Sequence, residues 1–207
     1  MIDTATATRF QVLHALKVKG VASEAALSEV TGLSQDAVLA EVEHLLEAEL
    51  VRRRKGRLGG LALVDAGRAV HAELLSADVD AAAVGALEDV YQAFLPLNGR
   101  FKDLCTRWQL RGSELNDHTD AAYDAGVVSE LAELHGAAAA FLGPAGAALA
   151  RFARYPLRLG AALERVQGGE VSAFTKPLTE SYHDVWMELH QDLITSLGRT
   201  RDAADEG

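Results

Sequence analysis

The sequence concentrates positive charge in one short segment, where Arg52, Arg53, Arg54, Lys55 and Arg57 supply five cations within six positions. Side chains of this type can contact the phosphates of a nucleic acid, and a hairpin that carries them can lie along the backbone or enter a minor groove. The other interpretation is the solvated tip of a basic hairpin. We favour phosphate contact, because the cluster follows a predicted recognition-type helix.

Net charge does not exclude a nucleic-acid partner. The chain carries −10 at pH 7, but residues 1–75 contribute only −1 and residues 76–207 the remainder. Salt screens exposed charges beyond a Debye length of about 8 Å. A small basic surface can therefore attract a nucleic acid even when the rest of the protein is acidic.

A second group combines histidines with carboxylates: Asp117, His118, Asp120, Asp124, His135, His183 and His190. Aspartate and histidine can hold a metal in the core of a helical bundle. However, seven residues place His183 and His190 about 10 Å apart along a helix, too far for one ion without side-chain reach. We therefore favour partly buried, hydrogen-bonded histidines and predict no metal site.

A third group is cationic, with Arg151, Arg154 and Arg158 at helical spacing and Arg165 and Arg107 elsewhere in the second half. These side chains could receive a carboxylate or phosphate ligand. The favoured alternative is that these arginines form an ordinary exposed surface whose positive charge offsets the excess of acidic residues in the second half.

Aromatic residues of the second half could line an apolar pocket or simply form the core. The last predicted helix has apolar residues over a wide arc, with two histidines among them. We place the candidate ligand site between the helix around Trp108 and the last helix, at Trp108, His183, Trp186 and His190.

Residues 10–75 contain the elements that would position the basic segment. Apolar spacing predicts a first helix closed by Gly20, a second capped by Ser23, and a third capped by Ser34 after the turn Thr31-Gly32-Leu33-Ser34. Two short strands, Leu50–Arg54 and Leu58–Val64, then flank Lys55-Gly56-Arg57.

The second half is predicted to be helical throughout, with five or six helices in a small bundle. A helix over 79–94 is expected to break at Leu95-Pro96-Leu97-Asn98-Gly99, and a new helix to run over 100–111. Further helices are expected over 118–142, from Pro144 to Tyr155, from Leu157 to Gly168, and after a cap at Thr179 or Ser181. The predicted domains are 1–75 and 76–207.

Part of this pattern matches a known family. The matching segments are Gly32-Leu33-Ser34, Val38, Leu45, Glu47-Ala48-Glu49-Leu50-Val51, the basic hairpin and Leu63 to Ala69. Together they resemble the winged helix-turn-helix of MarR-like and related bacterial regulators, over about a third of the chain. In that family a strand ending in leucine leads into a helix start of the type Thr/Asp-x-x-Gly-Arg, and Asp65, Gly67 and Arg68 are its counterparts here.

The third helix departs from the family pattern, which places Arg, Lys, Ser or Thr on its exposed face. Here the outward positions are expected to hold Gln35, Asp36, Leu39, Ala40 and Glu43. Glu41 and Glu47 are expected to add negative charge. No guanine-reading Arg stands on this helix, so we expect Ser34, Gln35 and Asp36 to give little base readout.

We expect a cytoplasmic protein without a membrane segment. The N-terminus lacks a signal pattern, and the apolar run from Ala137 to Ala150 is too short to span a bilayer. The single cysteine, Cys105, fits a reducing compartment and is interpreted as a buried apolar side chain rather than a redox sensor. No catalytic motif is present, so we expect neither an enzyme nor a cofactor.

The expected fold is mainly α: a winged helix-turn-helix followed by an all-helical bundle. The resemblance implies a transcriptional regulator that binds double-stranded DNA as a homodimer, with the helical domain serving dimerisation or sensing of a small-molecule effector. The alternative is a protein–protein adaptor, in which Leu39 and Ala40 meet a partner instead of a DNA groove.

Overall fold

The computed structural model describes residues 3–56 and 59–199. The chain divides into two compact units after Asp80, five residues later than the predicted boundary. We call the residues up to Asp80 unit 1 and those from Ala81 unit 2.

The described residues of unit 1 form four helices and a two-stranded antiparallel sheet. In chain order they are α1 (Thr4–Lys19), α2 (Glu24–Thr31), α3 (Gln35–Glu47), β1 (Val51–Arg54), β2 (Gly60–Leu63) and α4 (Asp65–Asp78). The predicted caps are confirmed: the side chains of Ser23 and Ser34 accept from the backbone at the starts of α2 and α3, and Gly20 ends α1.

The core of unit 1 lies between α1, α2, α3 and the sheet. Its members are apolar residues at helical spacing that are almost completely buried: Leu13, Leu16, Leu27, Val38, Val42, Leu45 and Leu61. Burial of such a face supplies most of the stability of short helices. The predicted apolar faces of the three helices are therefore confirmed.

The sheet pairs Val51 with Leu63 at one end and Arg54 with Gly60 at the other. Leu61 also exchanges backbone hydrogen bonds with Ala22, at N···O distances of 2.7 and 3.1 Å, which ties the sheet to the segment between α1 and α2. The two predicted strands are confirmed in shorter form. Arg57 and Leu58 lie outside the described residues.

Gly67 explains part of the sequence motif at the start of α4. A Cβ atom at this position would lie 2.0 Å from the carbonyl oxygen of Leu50. Only a residue without a side chain allows this approach. Arg68 forms an ion pair with Asp65 and donates to the carbonyl oxygen of Leu63 at 3.0 Å, so all three motif residues have structural roles.

Unit 2, as far as Arg199, is helical apart from one small hairpin. Its elements are α5 (Ala81–Gln109), β3 (Leu110–Arg111), β4 (Glu114–Leu115), α6 (Ala121–Ala148), a 3₁₀ turn (Ala150–Ala153), α7 (Arg154–Gln167), α8 (Ser172–Thr175) and α9 (Tyr182–Ser196). Helix α5 packs along α6, and α9 packs against α5 and α7. The predicted cap of the last helix is confirmed at Ser181.

The predicted break at residues 95–99 is wrong, because α5 continues through Pro96. Proline removes one helical hydrogen bond, but the surrounding residues are held by tertiary packing. Phe94 and Phe101 are buried on either side, and the buried Asn98 side chain accepts from the indole N–H of Trp186 at 3.0 Å. The separate helix predicted over 100–111 is therefore the second half of α5.

The prediction that Pro144 begins a new helix is also wrong, since α6 runs on to Ala148. Pro156 likewise does not end a helix. It lies in the first turn of α7, where backbone N–H groups have no helical acceptor and proline costs little.

Helix α6 is the one described helix long and apolar enough to cross a membrane by length and composition, with a mean hydropathy of 1.2 over its best window. One third of that window is buried within the protein, and α6 packs against α5, the 3₁₀ turn and α7. The core helices of soluble proteins can meet the same two criteria of length and composition, so meeting them is weak evidence that α6 spans a membrane.

Candidate nucleic-acid interface and ligand groove

The basic strand, which we define as Arg52, Arg53, Arg54 and the following Lys55, is exposed along its whole length. Side chains alternate across a strand, so Arg53 shares the face of the buried Val51, and Arg52 and Arg54 lie on the opposite face. Arg53 forms an ion pair with Glu24 at 2.5 Å, and this hydrogen bond lowers the pKa of the Glu24 carboxyl. Within residues 3–56 and 59–199, Arg52 and Arg54 form no ion pair.

The exposed face of α3 is as predicted. Gln35, Asp36, Leu39, Ala40 and Glu43 are all exposed, and 40% of the Leu39 surface remains accessible. The Ser34 hydroxyl accepts from the backbone N–H of Ala37 at 3.2 Å, so its oxygen is committed to capping.

Glu41 corrects the predicted charge of this face. The sequence predicts that it adds negative charge outside, but only 6% of its surface is exposed, and it accepts from the Nε of Arg9 at 2.9 Å. The pairing of Glu41 with a cation from α1 makes it part of the packing between α1 and α3. Glu41 therefore adds no negative charge to the surface, and the acidic residues of α3 that do so are those on its exposed face.

Sequence reasoning missed a buried histidine pair in unit 1. The Nδ1 of His14 and the Nε2 of His71 lie 2.9 Å apart, and the ring of Phe10 lies against both imidazoles. The pair links α1 to α4. The available signal was that each histidine falls on the apolar side of its helix, where an isolated polar group would need a partner.

In unit 2, the predicted ligand residues on α9 lie in the packed core. Trp186 is fully buried, and His190 is 1% exposed against the rings of Tyr91 and Phe94. His183 is half-buried beside the ring of Phe101, and burial lowers its pKa. The Nδ1 of His183 has no hydrogen-bond partner among the residues that the structure describes.

Trp108, the fourth predicted ligand residue, instead lines a groove of about 520 Å³ between α6 and the end of α7. We call it the Trp108 groove. The other residues that line it are mostly small or apolar: His118, Ala121, Asp124, Ala125, Val128, Ser129, Ala132, Val166, Gln167, Gly169 and Val171. The structure therefore brings Trp108 to a cavity but places His183, Trp186 and His190 elsewhere.

A polar triad stands at the Trp108 end of this groove. The Nδ1 of His118 lies 2.9 Å from Oδ2 of Asp124, and the Asn116 amide donates to Oδ1 of the same carboxylate at 2.9 Å. The Asn116 amide also donates to the Trp108 carbonyl at 3.1 Å. Both Asp124 oxygens are thus occupied, and His118 has a positive φ of 59°, which is uncommon for a residue with a side chain.

Four of the five arginines considered as an anion receptor have internal ion-pair partners. The fifth, Arg154, is the first residue of α7. Ion pairs join Arg107 to Glu130, Arg151 to Asp192, Arg158 to Glu180 and Glu188, and Arg165 to Glu170. The favoured alternative of an ordinary exposed face is wrong for Arg151 and Arg158, whose side chains are only 16% and 11% exposed. Their charges are used to hold α9 against α7 and the 3₁₀ turn.

The remaining histidine of the predicted group, His135, lies on α6 with its Nδ1 3.2 Å from the Tyr182 hydroxyl. Within the described ranges, no three His, Cys, Asp or Glu side chains form a group that could hold a metal ion.

Comparison of the chain with protein-family models, with characterised proteins and with solved structures found no match.

Proposed function

We propose that unit 1 is a winged-helix domain that binds double-stranded DNA and that the protein is a transcriptional regulator. The order of elements supports this proposal, because three helices precede a two-stranded antiparallel hairpin that would be the wing. The observation that carries it is the pair of arginines on the outer face of β1. Arg52 and Arg54 are exposed and, in the part of the chain that the structure describes, have no ion-pair partner.

Two guanidinium groups that are open to solvent on one strand face are suited to phosphate oxygens, which bind Arg through paired N–H donors. Helix α3 would contribute less. Ser34 is committed to its cap, and Gln35 and Asp36 are the polar side chains left at the exposed start of the helix. We therefore expect a large electrostatic share of the affinity and weak discrimination between sequences.

A regulator of this kind would act as a homodimer, because a two-fold protein matches two half-sites on DNA. We assign dimerisation and response to a small-molecule effector to unit 2. Sedimentation equilibrium of the full chain tests this part of the proposal: we expect twice the mass of one chain, and a monomer over the whole concentration range would contradict the dimer.

The DNA proposal is tested by fluorescence anisotropy of a labelled duplex titrated with the full chain at low salt. We expect Arg52→Ala/Arg54→Ala to weaken binding to every duplex alike. Arg100→Ala/Arg107→Ala is the control, since it changes net charge equally but lies in unit 2. Equal weakening by both variants would contradict a specific role for the basic strand, and strong preference for one duplex over its scrambled form would contradict weak readout.

A second candidate function is protein docking through α3. The exposure of Leu39 beside Ala40, on a helix without Lys or Arg, favours it. An exposed apolar residue among acidic neighbours suits a protein partner better than a polyanion. Absence of duplex binding by the wild-type chain at low ionic strength would favour this candidate over the regulator.

A further inference from the structure

The walls of the Trp108 groove suit a flat apolar molecule. Ala121, Ala125, Val128 and Ala132 recur at helical spacing along one side of α6, so their short side chains form an even apolar surface. The indole of Trp108 also lines the groove. A volume of about 520 Å³ is within the range of small-molecule sites and is large enough for a fused two-ring compound.

The triad of Asn116, His118 and Asp124 determines whether His118 offers a hydrogen-bond donor or an acceptor to a molecule in the groove. Nδ1 of His118 lies 2.9 Å from the Asp124 carboxylate and 3.2 Å from the Asn116 amide nitrogen. The two amide protons of Asn116 already have acceptors, in the Trp108 carbonyl and the other Asp124 oxygen, so the ring proton belongs on Nδ1 and is donated to Asp124. When the ring carries this one proton, Nε2 presents a lone pair. No residue within 3–56 or 59–199 forms a hydrogen bond with Nε2, and the His118 side chain is 22% exposed beside the Trp108 ring, so the lone pair is open to a donor.

The charges around the groove disfavour an anion. Its lining contains no Lys or Arg, and Asp124 is its one acidic residue. Val166 and Gln167 belong to the last turn of α7, where the helix dipole is negative. A carboxylate or phosphate would therefore find no Lys or Arg to pair with among the residues that line the groove.

We propose that the Trp108 groove binds an uncharged aromatic compound of about two fused rings that donates an O–H or N–H hydrogen bond to Nε2 of His118. The ring system lies over the alanines of α6 with one edge against Trp108. Asp124 and Asn116 act as positioning residues, because they hold the imidazole in the accepting tautomer. This assignment is independent of the proposed DNA contact, since every group it uses belongs to unit 2.

Isothermal titration calorimetry of the full chain at pH 8 tests the assignment with two matched probes. Indole carries an N–H donor, and quinoline carries only a ring-nitrogen acceptor. We expect the wild-type chain to bind indole about tenfold more tightly than quinoline, the equivalent of one hydrogen bond. Indole-3-carboxylate, which adds a negative charge, should bind more weakly than indole. Failure of indole to bind at millimolar concentration would overturn the proposal.

Asp124→Asn tests the tautomer without changing the shape of the side chain. The new amide donates to Nδ1 of His118 while its oxygen still accepts from Asn116, so the ring proton moves to Nε2. The preference should then reverse in favour of quinoline, a result that loss of structure does not produce. An unchanged ratio of indole to quinoline affinity would show that His118 does not contact the ligand.

Ala125→Leu tests the location, because the larger side chain would fill the groove. Ala140→Leu is the matched control, since it makes the same substitution on the exposed side of α6 away from the groove. We expect a loss of indole affinity of at least about tenfold for the first variant and none for the second. Equal affinities for both variants would place the binding site elsewhere.

Discussion

Removal of the Asp192 carboxylate should destabilise unit 2 more than any exposed charge would. Asp192 is 2% exposed and accepts from three side chains: Tyr155 at 3.0 Å, Ser196 at 3.0 Å and Arg151 at 3.3 Å. Burial and the neighbouring carboxylates raise the pKa of the Tyr155 hydroxyl well above its ordinary value, so it remains a donor at any working pH.

Asp192→Ala leaves the guanidinium of Arg151, which is 16% exposed, without this carboxylate and deprives two hydroxyl groups of an acceptor. Breaking a buried ion pair from one side costs about 3–5 kcal/mol. We expect the free energy of unfolding of unit 2 to fall by that amount. Glu130→Ala is the control, because the Arg107–Glu130 pair is about half exposed on both sides and should contribute less than about 1 kcal/mol.

Urea denaturation followed by tryptophan fluorescence measures this difference. The chain has two tryptophans, Trp108 and Trp186, and both belong to unit 2, so the signal reports that unit alone. A destabilisation below about 1 kcal/mol for Asp192→Ala, equal to that of the control, would refute the reasoning that the buried network holds α9 in place.

Three further predictions concern single residues. Gly67→Ala should lower the melting temperature of unit 1 in circular dichroism, because its methyl group would meet the Leu50 carbonyl, whereas Gly85→Ala, with open space around it, should be neutral or stabilising. Cys105 is partly buried, and burial raises its pKa to about 12, so its thiol should react with a disulfide reagent at pH 8 much more slowly in the native chain than after unfolding; equal rates in the two states would contradict this. Because burial lowers the pKa of His183 below 6.5, the unfolded chain binds the proton more readily, and the stability of unit 2 should decline as pH falls through 6.5. His183→Phe should reduce that decline, and an identical pH profile would assign it to other groups.

The helices and strands of unit 1 could be predicted because their signals are local. Ser23 and Ser34 cap α2 and α3 by accepting hydrogen bonds from backbone N–H groups three positions later. The apolar residues of these helices recur at helical spacing, which the sequence shows directly. Glu41 could not be predicted in the same way. Its inward orientation depends on Arg9, 32 residues earlier, and a charged residue on a helix is exposed unless such a partner is known.

In unit 2, local signals predict the wrong structure where tertiary contacts outweigh them. Pro96 predicts a break in the helix, but α5 continues through it. The hydrogen bond between Asn98 and Trp186, which are 88 positions apart, helps to keep this part of α5 helical. The Trp108 groove also depends on long-range packing, because Trp108 and Gln167 come together only through the fold. The sequence indicates Trp108 and, separately, His118 and Asp124, but spacing alone does not show that these three meet.

The salt dependence of duplex binding tests the central proposal most directly. The logarithm of the association constant should fall linearly with the logarithm of salt concentration for the wild-type chain. The line for Arg52→Ala/Arg54→Ala should be flatter by about 0.9 for each phosphate that the variant no longer neutralises, and the line for the Arg100→Ala/Arg107→Ala control should keep the wild-type slope. Identical slopes for the wild-type chain and Arg52→Ala/Arg54→Ala would contradict phosphate binding by the basic strand.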